Sequence, residues 1–176
     1  MKILARSVKL FFLFTSFFMA SFTLAEGYIG IAYGNTDYGA QEDGSSYQIS
    51  GGYSLNNIVS AQVSYIDYGD VNDNAPPIWR AEADAIEVAG IAKYELIHGI
   101  NLIGIAGVSF WDLSLSEDGY GVIGVTDGSD LFYGIGLDLV ASDKVSVIFE
   151  YKDYDISVQG VDISVDNISA GLKYQF

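Results

Sequence analysis

The stretch Ile168-Ser169-Ala170-Gly171-Leu172-Lys173-Tyr174-Gln175-Phe176 decides how this chain is read. Apolar side chains fall at 168, 170, 172, 174 and 176, and small or polar ones at 169, 171, 173 and 175. Such period-2 alternation gives a strand with one greasy face and one wet face. No turn follows it, and its last residue is aromatic. A soluble protein rarely leaves such a strand at its very end. An ordinary half-buried strand that ends in Phe is the bland alternative, and the rest of the chain weighs against it.

Seven further segments with the same alternation precede this one, at about 27–36, 45–54, 58–67, 83–95, 99–112, 130–141 and 144–154, and the last strand begins near 161. In the first, Ile29, Ile31 and Tyr33 share a face opposite Tyr28, Gly30, Ala32 and Gly34. In the fourth, Ile86, Val88, Gly90, Ala92 and Tyr94 oppose Glu87, Ala89, Ile91 and Lys93. The fifth is apolar on both faces; Leu102, Ala106, Val108 and Phe110 are read as outward. Leu55-Asn56-Asn57, Ile97-His98-Gly99 and Ser142-Asp143-Lys144 are tight turns. Between them lie longer polar connections at about 37–44, 68–82, 113–129 and 155–160. Short turns on one side and longer loops on the other describe an all-β, eight-stranded, antiparallel up-and-down barrel that spans an outer membrane. An even strand number puts both ends on the short-turn, periplasmic side.

The aromatic residues form an independent pattern. Tyr53, Tyr94, Tyr174 and Phe176 face outward near the periplasmic rim, and Tyr33, Tyr47, Tyr65, Phe110, Tyr133 and Tyr151 near the other. Two girdles are expected where amphipathic rings meet lipid headgroups. A water-soluble barrel around an apolar ligand would alternate too, but has no reason to band its aromatics outward.

The N-terminus agrees with export. Lys2, Arg6 and Lys9 precede a mostly apolar run, Leu10 to Phe22, and Thr23-Leu24-Ala25 supplies small residues for cleavage. The expected organisation is a signal peptide over 1–25 and one barrel domain over 26–176. The apolar run is shorter than the roughly 18–20 residues of a spanning helix. The leader holds three of the eight basic residues and none of the 23 acidic ones, which leaves 5 − 23 = −18 for the mature domain. That charge argues against nucleic acid. It mainly describes a hydrated, self-repelling surface, and it permits divalent cations or basic partners. With no cysteine, disulfides and thiolate metal sites are excluded.

The inward face carries Gln48, Gln62, Glu87, Lys93, Asp138, Glu150, Lys152, Lys173 and Gln175. An eight-stranded barrel is only wide enough for side chains to fill it, so these groups are expected to pair as a polar plug. Glu87, Lys93, Asp138, Glu150, Lys152 and Lys173 form the expected cluster, with Glu150 paired to Lys152 or Lys173. A narrow gated channel is the functional rival. Enzyme activity is not expected: the single histidine, His98, falls in a periplasmic turn. Asp70-Val71-Asn72-Asp73-Asn74 opens like a calcium loop, but Ala75 stands where glycine is expected and Ala81 where the acidic ligand is expected. No metal or cofactor is expected from these spacings. Asp67, Asp70, Asp73, Glu82 and Asp84 surround the second long loop, and Glu117, Asp118, Asp127 and Asp130 the third. They keep the loops hydrated or bridge through divalent ions to lipopolysaccharide.

Asp130-Leu131-Phe132-Tyr133-Gly134-Ile135-Gly136, Val147-Ile148-Phe149-Glu150-Tyr151 and Ser169 to Phe176 resemble the OmpA-like family of eight-stranded outer-membrane barrels, which includes OmpX-like and opacity proteins. The resemblance covers the whole mature chain and is specific for fold rather than task. It implies that Tyr174 and Phe176 act as an assembly signal read by the barrel-assembly machinery. It implies contact with outer-membrane lipids and lipopolysaccharide, and an extracellular ligand held by the loops. The peptidoglycan-binding domain of longer members has no counterpart here, so wall anchoring does not carry over. The expected function is a non-enzymatic structural or surface-interaction role, in envelope integrity or adhesion. The alternative is a small porin-like channel or transporter.

Overall fold

A computed structural model of the chain describes residues 26–37, 44–73, 79–117, 120–158 and 161–176. The expected signal peptide lies outside the described residues, as do Asn74 of the calcium-loop-like stretch and Asp118 of the third loop. Eight strands run β1 Glu26–Asp37, β2 Gly44–Ser54, β3 Val59–Asp73, β4 Trp79–Ile97, β5 Ile100–Glu117, β6 Gly121–Val140, β7 Val145–Val158 and β8 Val161–Gln175. Each pairs antiparallel with the next, and β8 closes on β1. Closure satisfies the backbone in the membrane, where no water can do so.

Alternation sets the two faces. Ile31, Leu131, Tyr133 and Ile168 point outward and are more than half exposed. An exposed apolar band of this extent belongs in lipid, not water. Tyr28, Gln48, Glu87, Phe132, Glu150 and Lys152 point inward and are buried. β5 follows the expected register: Phe110 is exposed, while Ile103, Ile105 and Trp111 are buried. Both of its faces are apolar because these inward residues belong to a core cluster with Ile66, Tyr68, Phe132, Tyr154 and Val165.

At the short-turn end, Gly99 supplies the positive φ of 80° that the β4–β5 turn requires. In the β2–β3 turn, the Asn56 side chain accepts from the Ile58 and Val59 amides, both at 2.8 Å.

The other end departs from the sequence expectation. Much of the expected loops at 68–82, 113–129 and 155–160 is strand. β3–β4 pairing continues to Asp73–Trp79, β4–β5 to Trp79–Glu117, and β5–β6 to Glu117–Gly121. Above the membrane no apolar stripe is required, so the hydrophobic alternation stops before the hydrogen-bonded ladder does. A bulge between Asp67 and Asp70 marks this transition in β3. There the Gly69 amide donates to Asp67 Oδ1 at 2.8 Å.

Candidate functional site

Two places gather chemistry: the lumen, and the sheet that extends beyond the barrel rim.

In the lumen, Lys152 on β7 reaches across to β4 and β2. Its Nζ donates to Glu87 Oε2 and to Gln48 Oε1, both at 2.8 Å. Glu150 Oε2 lies farther off, 3.7 Å from the same ammonium. Tyr154 Oη donates to Glu87 Oε1 at 2.5 Å. Gly134, facing Lys152 from β6, makes room: a Cβ there would stand 3.1 Å from Lys152 Cγ and 2.6 Å from the Tyr151 carbonyl. Lys152 is 0% exposed and Glu87 1%. Ions this far from water persist only when paired and hydrogen-bonded. Above them the Tyr154 ring stacks on Phe132 at 5.3 Å and meets Tyr68 edge-on at 5.4 Å. A charged layer capped by an aromatic layer fills the bore.

Toward the periplasm, Lys173 Nζ bonds Asp138 Oδ2. Tyr28 Oη donates to Gln62 Oε1 at 3.0 Å, and Gln62 Nε2 donates to Ser64 Oγ at 3.0 Å. Gln48 Nε2 donates to the same hydroxyl at 3.3 Å, so hydrogen bonds run unbroken from Tyr28 to Lys152. Lys93 lines the vestibule below, and among the described residues its ammonium has no ion pair.

The six lumen residues thus fall into a Glu87–Lys152–Glu150 triad, an Asp138–Lys173 pair, and Lys93 apart. The expected Glu150–Lys152 pair is present at 3.7 Å, but Glu87 is the closer partner of Lys152 at 2.8 Å, and Lys173 pairs with Asp138 rather than Glu150. The aromatic layer was not foreseen, because alternation marks inward positions as polar. Its signal was there: Trp111, Phe132 and Tyr154 are large aromatics at inward parity on three strands in sequence.

At the periplasmic rim, Tyr174 and Phe176 point outward, with ring centroids 6.3 Å apart. The Phe176 amide donates to the Gly27 carbonyl at 3.0 Å. Lys144 Nζ lies 6.0 Å from the Tyr174 ring centroid. His98 is fully exposed in the β4–β5 turn, 3.7 Å from Glu95.

Beyond the opposite rim, β3 to β6 continue as a four-stranded sheet. Its register places Asp67, Asp84, Asp112 and Asp127 directly opposite one another in a row. A second row joins Asp153, Asp166 and Asp37 across β7, β8 and β1. Like charges in facing positions disfavour the sheet by fractions of a kcal/mol per pair. Tyr151 Oη donates to Asp166 Oδ1 at 3.0 Å. Arg80 is the only Lys or Arg of the extended sheet, and it sits 3.6 Å from Glu82. β6 meets β7 only from Phe132–Tyr154 to Val140–Ser146. Its residues 121–131 therefore have β5 on one edge and, among the described residues, no strand on the other. Leu115, Tyr120, Val122, Ile123 and Val125 are exposed on this part of the sheet.

Three solved structures share this architecture. Neisserial surface protein A is 17% identical, with a TM-score of 0.69 over 86% of this chain and 97% of that one. The N-terminal β-barrel domain of Pseudomonas aeruginosa OprF is 16% identical, with a TM-score of 0.64 over 86% and 99%. Ail, the attachment invasion locus protein of Yersinia pestis, in complex with the heparin analogue sucrose octasulfate, is 15% identical, with a TM-score of 0.61 over 86% and 97%. At these identities the likeness is one of fold. No curated protein matches the sequence. The family described as outer membrane protein beta-barrel domain matches residues 10–176. The chain belongs to that family, and it is an eight-stranded β-barrel of the outer membrane.

Proposed function

We infer that this barrel is a non-enzymatic surface-interaction protein, and that its extended β3–β6 sheet is the part that meets a partner. The observation that carries this reading is the β6 edge at residues 121–131, which has no partner strand among the described residues and carries exposed Val122, Ile123 and Val125. A strand edge is a template for main-chain pairing with an extended segment of another protein. β5 runs from Phe110 to Glu117 above the aromatic girdle, roughly 23 Å along the strand at the rise of an extended chain. That reach carries the edge away from the lipid surface. The aspartate row and the near absence of basic residues select a cationic partner. The similar Yersinia barrel was solved with a sulfated ligand. An anionic ligand of that kind would be repelled by the carboxylates here.

The lumen supports the same reading. Lys152 and Glu87, capped by Tyr154 and Phe132, are buried in two successive layers of the bore, which disfavours the porin-like alternative. His98 stands apart from the sheet, in a turn at the opposite end, which disfavours hydrolytic chemistry there. Tyr174 and Phe176 keep their proposed role as an assembly signal, since both stay accessible from the membrane side.

Amide hydrogen exchange on the folded barrel in nanodiscs tests the edge. The probe is an eight-residue peptide that alternates Val and Lys. Protection confined to residues 121–131 is expected. No protection, or protection centred on other strands, overturns the reading.

A further inference from the structure

Seven of the eight strand pairs join neighbours in the chain, so a turn or loop helps to set their register. The closing pair, β1 with β8, has no such connection. Alternation alone leaves its register open, because a slip of two residues keeps every outward side chain outward. Such a slip changes the stagger of the whole barrel. The seam itself must therefore distinguish the observed pairing, Ile31 with Leu172, from the pairings two residues to either side.

Two contacts do so, one at each end. At the periplasmic rim Gly27 is buried, although it shares the outward parity of Ile29, Ile31, Tyr33, Asn35 and Asp37, all of which are exposed. The Phe176 ring covers it. A Cβ at position 27 would stand 2.6 Å from Phe176 Cε2 and 3.3 Å from Tyr53 Cε1. The Phe176 amide, bonded to the Gly27 carbonyl at 3.0 Å, holds the ring over this notch. A two-residue slip of β8 toward the outer surface would bring the ring over Ile29, where a large side chain already stands. At the other end, inside the bore, Asn167 and Thr36 face each other and are both 0% exposed. Asn167 Nδ2 donates to Thr36 Oγ1 at 3.0 Å and to Ser46 Oγ at 2.6 Å. A slip toward the periplasm would set Asn167 opposite Gly34, which offers no side-chain acceptor. A buried amide that loses its partner is costly.

We propose that these two contacts form a register lock at the closing seam. The ring of Phe176 in the Gly27 notch blocks one slip, and the Asn167 amide on Thr36 blocks the other. Gly27 is thus a positioning residue for barrel closure, and the seat of the C-terminal ring in the folded state. Intrinsic preference argues the other way at this position. Glycine weakens a strand, and a β-branched residue on the lipid face should strengthen it. Gly104, exposed on the lipid face of β5 with open space around its Cβ position, supplies the contrast.

The test compares Gly27→Val and Gly104→Val in the barrel refolded into phosphatidylcholine vesicles, each with Phe176 and with Phe176→Ala. Gly27→Val is expected to lower the thermal unfolding midpoint, read by gel mobility, by about 3 °C or more. With Phe176→Ala the same change is expected to leave the midpoint unmoved or to raise it, since the ring is gone. Gly104→Val is expected to act alike in both backgrounds. A loss at position 27 that persists without the ring overturns the notch, and so does the absence of a loss with the ring in place. The chain has no cysteine, so cysteine pairs read the register itself. Ile31→Cys/Leu172→Cys is expected to crosslink. The offset pairs Ile31→Cys/Ala170→Cys and Tyr33→Cys/Leu172→Cys are diagonal neighbours, roughly 7–8 Å apart and beyond the reach of a disulfide. Phe176→Ala is expected to raise the Tyr33→Cys/Leu172→Cys product about fivefold or more, and Thr36→Val the Ile31→Cys/Ala170→Cys product. An offset product that stays unchanged in its variant overturns the lock at that end of the seam.

Discussion

Glu87→Ala should cost far more stability than Glu150→Ala, although both remove a buried carboxylate beside the same lysine. Glu87 accepts from Lys152 at 2.8 Å and from Tyr154 at 2.5 Å. Breaking one side of a buried ion pair costs about 3–5 kcal/mol. A stranded buried hydroxyl adds about 1–3 kcal/mol. The two losses share one acceptor and do not add in full. Lys152 also keeps Gln48 at 2.8 Å and Glu150 at 3.7 Å. A net loss of about 4 kcal/mol follows from these terms. Glu150→Ala leaves the Lys152–Glu87 bond intact and removes only the carboxylate 3.7 Å from the ammonium, so about 1 kcal/mol or less is expected. The triple variant Glu87→Leu/Glu150→Gln/Lys152→Met replaces the whole triad without stranding a buried charge and should recover much of the larger loss. Urea unfolding in phospholipid vesicles, read by tryptophan fluorescence and gel mobility, measures all three. Equal losses for the two single variants, or a larger loss for Glu150→Ala, would refute the ranking of partners around Lys152.

Three further outcomes are expected. Phe176→Ala removes one outward ring and one contact with Tyr174, so it should lower the amount of barrel assembled in the outer membrane more than it lowers the unfolding midpoint of barrel already folded; equal outer-membrane levels would count against an assembly role. Asp127→Asn removes one of two facing charges opposite Asp112 and should stabilise the extended sheet by about 0.2–1 kcal/mol at low salt, with the gain fading as salt screens the pair; hydrogen exchange across β5 and β6 reports it. Gly134→Val places a side chain where Lys152 packs and should cost about 1–3 kcal/mol by overpacking, visible as a lower urea midpoint.

The membrane-spanning part of the fold was legible because lipid outside and a filled bore inside impose alternation on every strand. Ile29, Ile31 and Tyr33 or Leu131, Tyr133 and Ile135 read outward from the sequence and stand outward in the structure. The extended sheet was not legible, for the converse reason. Asp67, Asp84, Asp112 and Asp127 share the outward face, and water on both sides removes the need for an apolar stripe. Their carboxylates look like loop residues. Lumen membership followed from parity, which placed Glu87, Glu150 and Lys152 inside. Partnership did not. Lys152 reaches Glu87 across the bore, 65 positions away in the chain, and that meeting depends on strand stagger, which alternation leaves open. Glu150 is nearer in sequence but sits one inward position lower on the same strand, which places its carboxylate at the edge of the vestibule rather than at the level of Glu87.

Planar-bilayer recording of the purified, refolded barrel tests most directly whether the bore is sealed and the work is done outside it. With Lys152 and Glu87 in one layer of the bore and Tyr154 and Phe132 in the layer above, the expected record at moderate voltage shows no steady single-channel openings. Steady openings of uniform conductance, altered in size or ion selectivity by Lys152→Met, would contradict the sealed lumen and return the porin-like alternative.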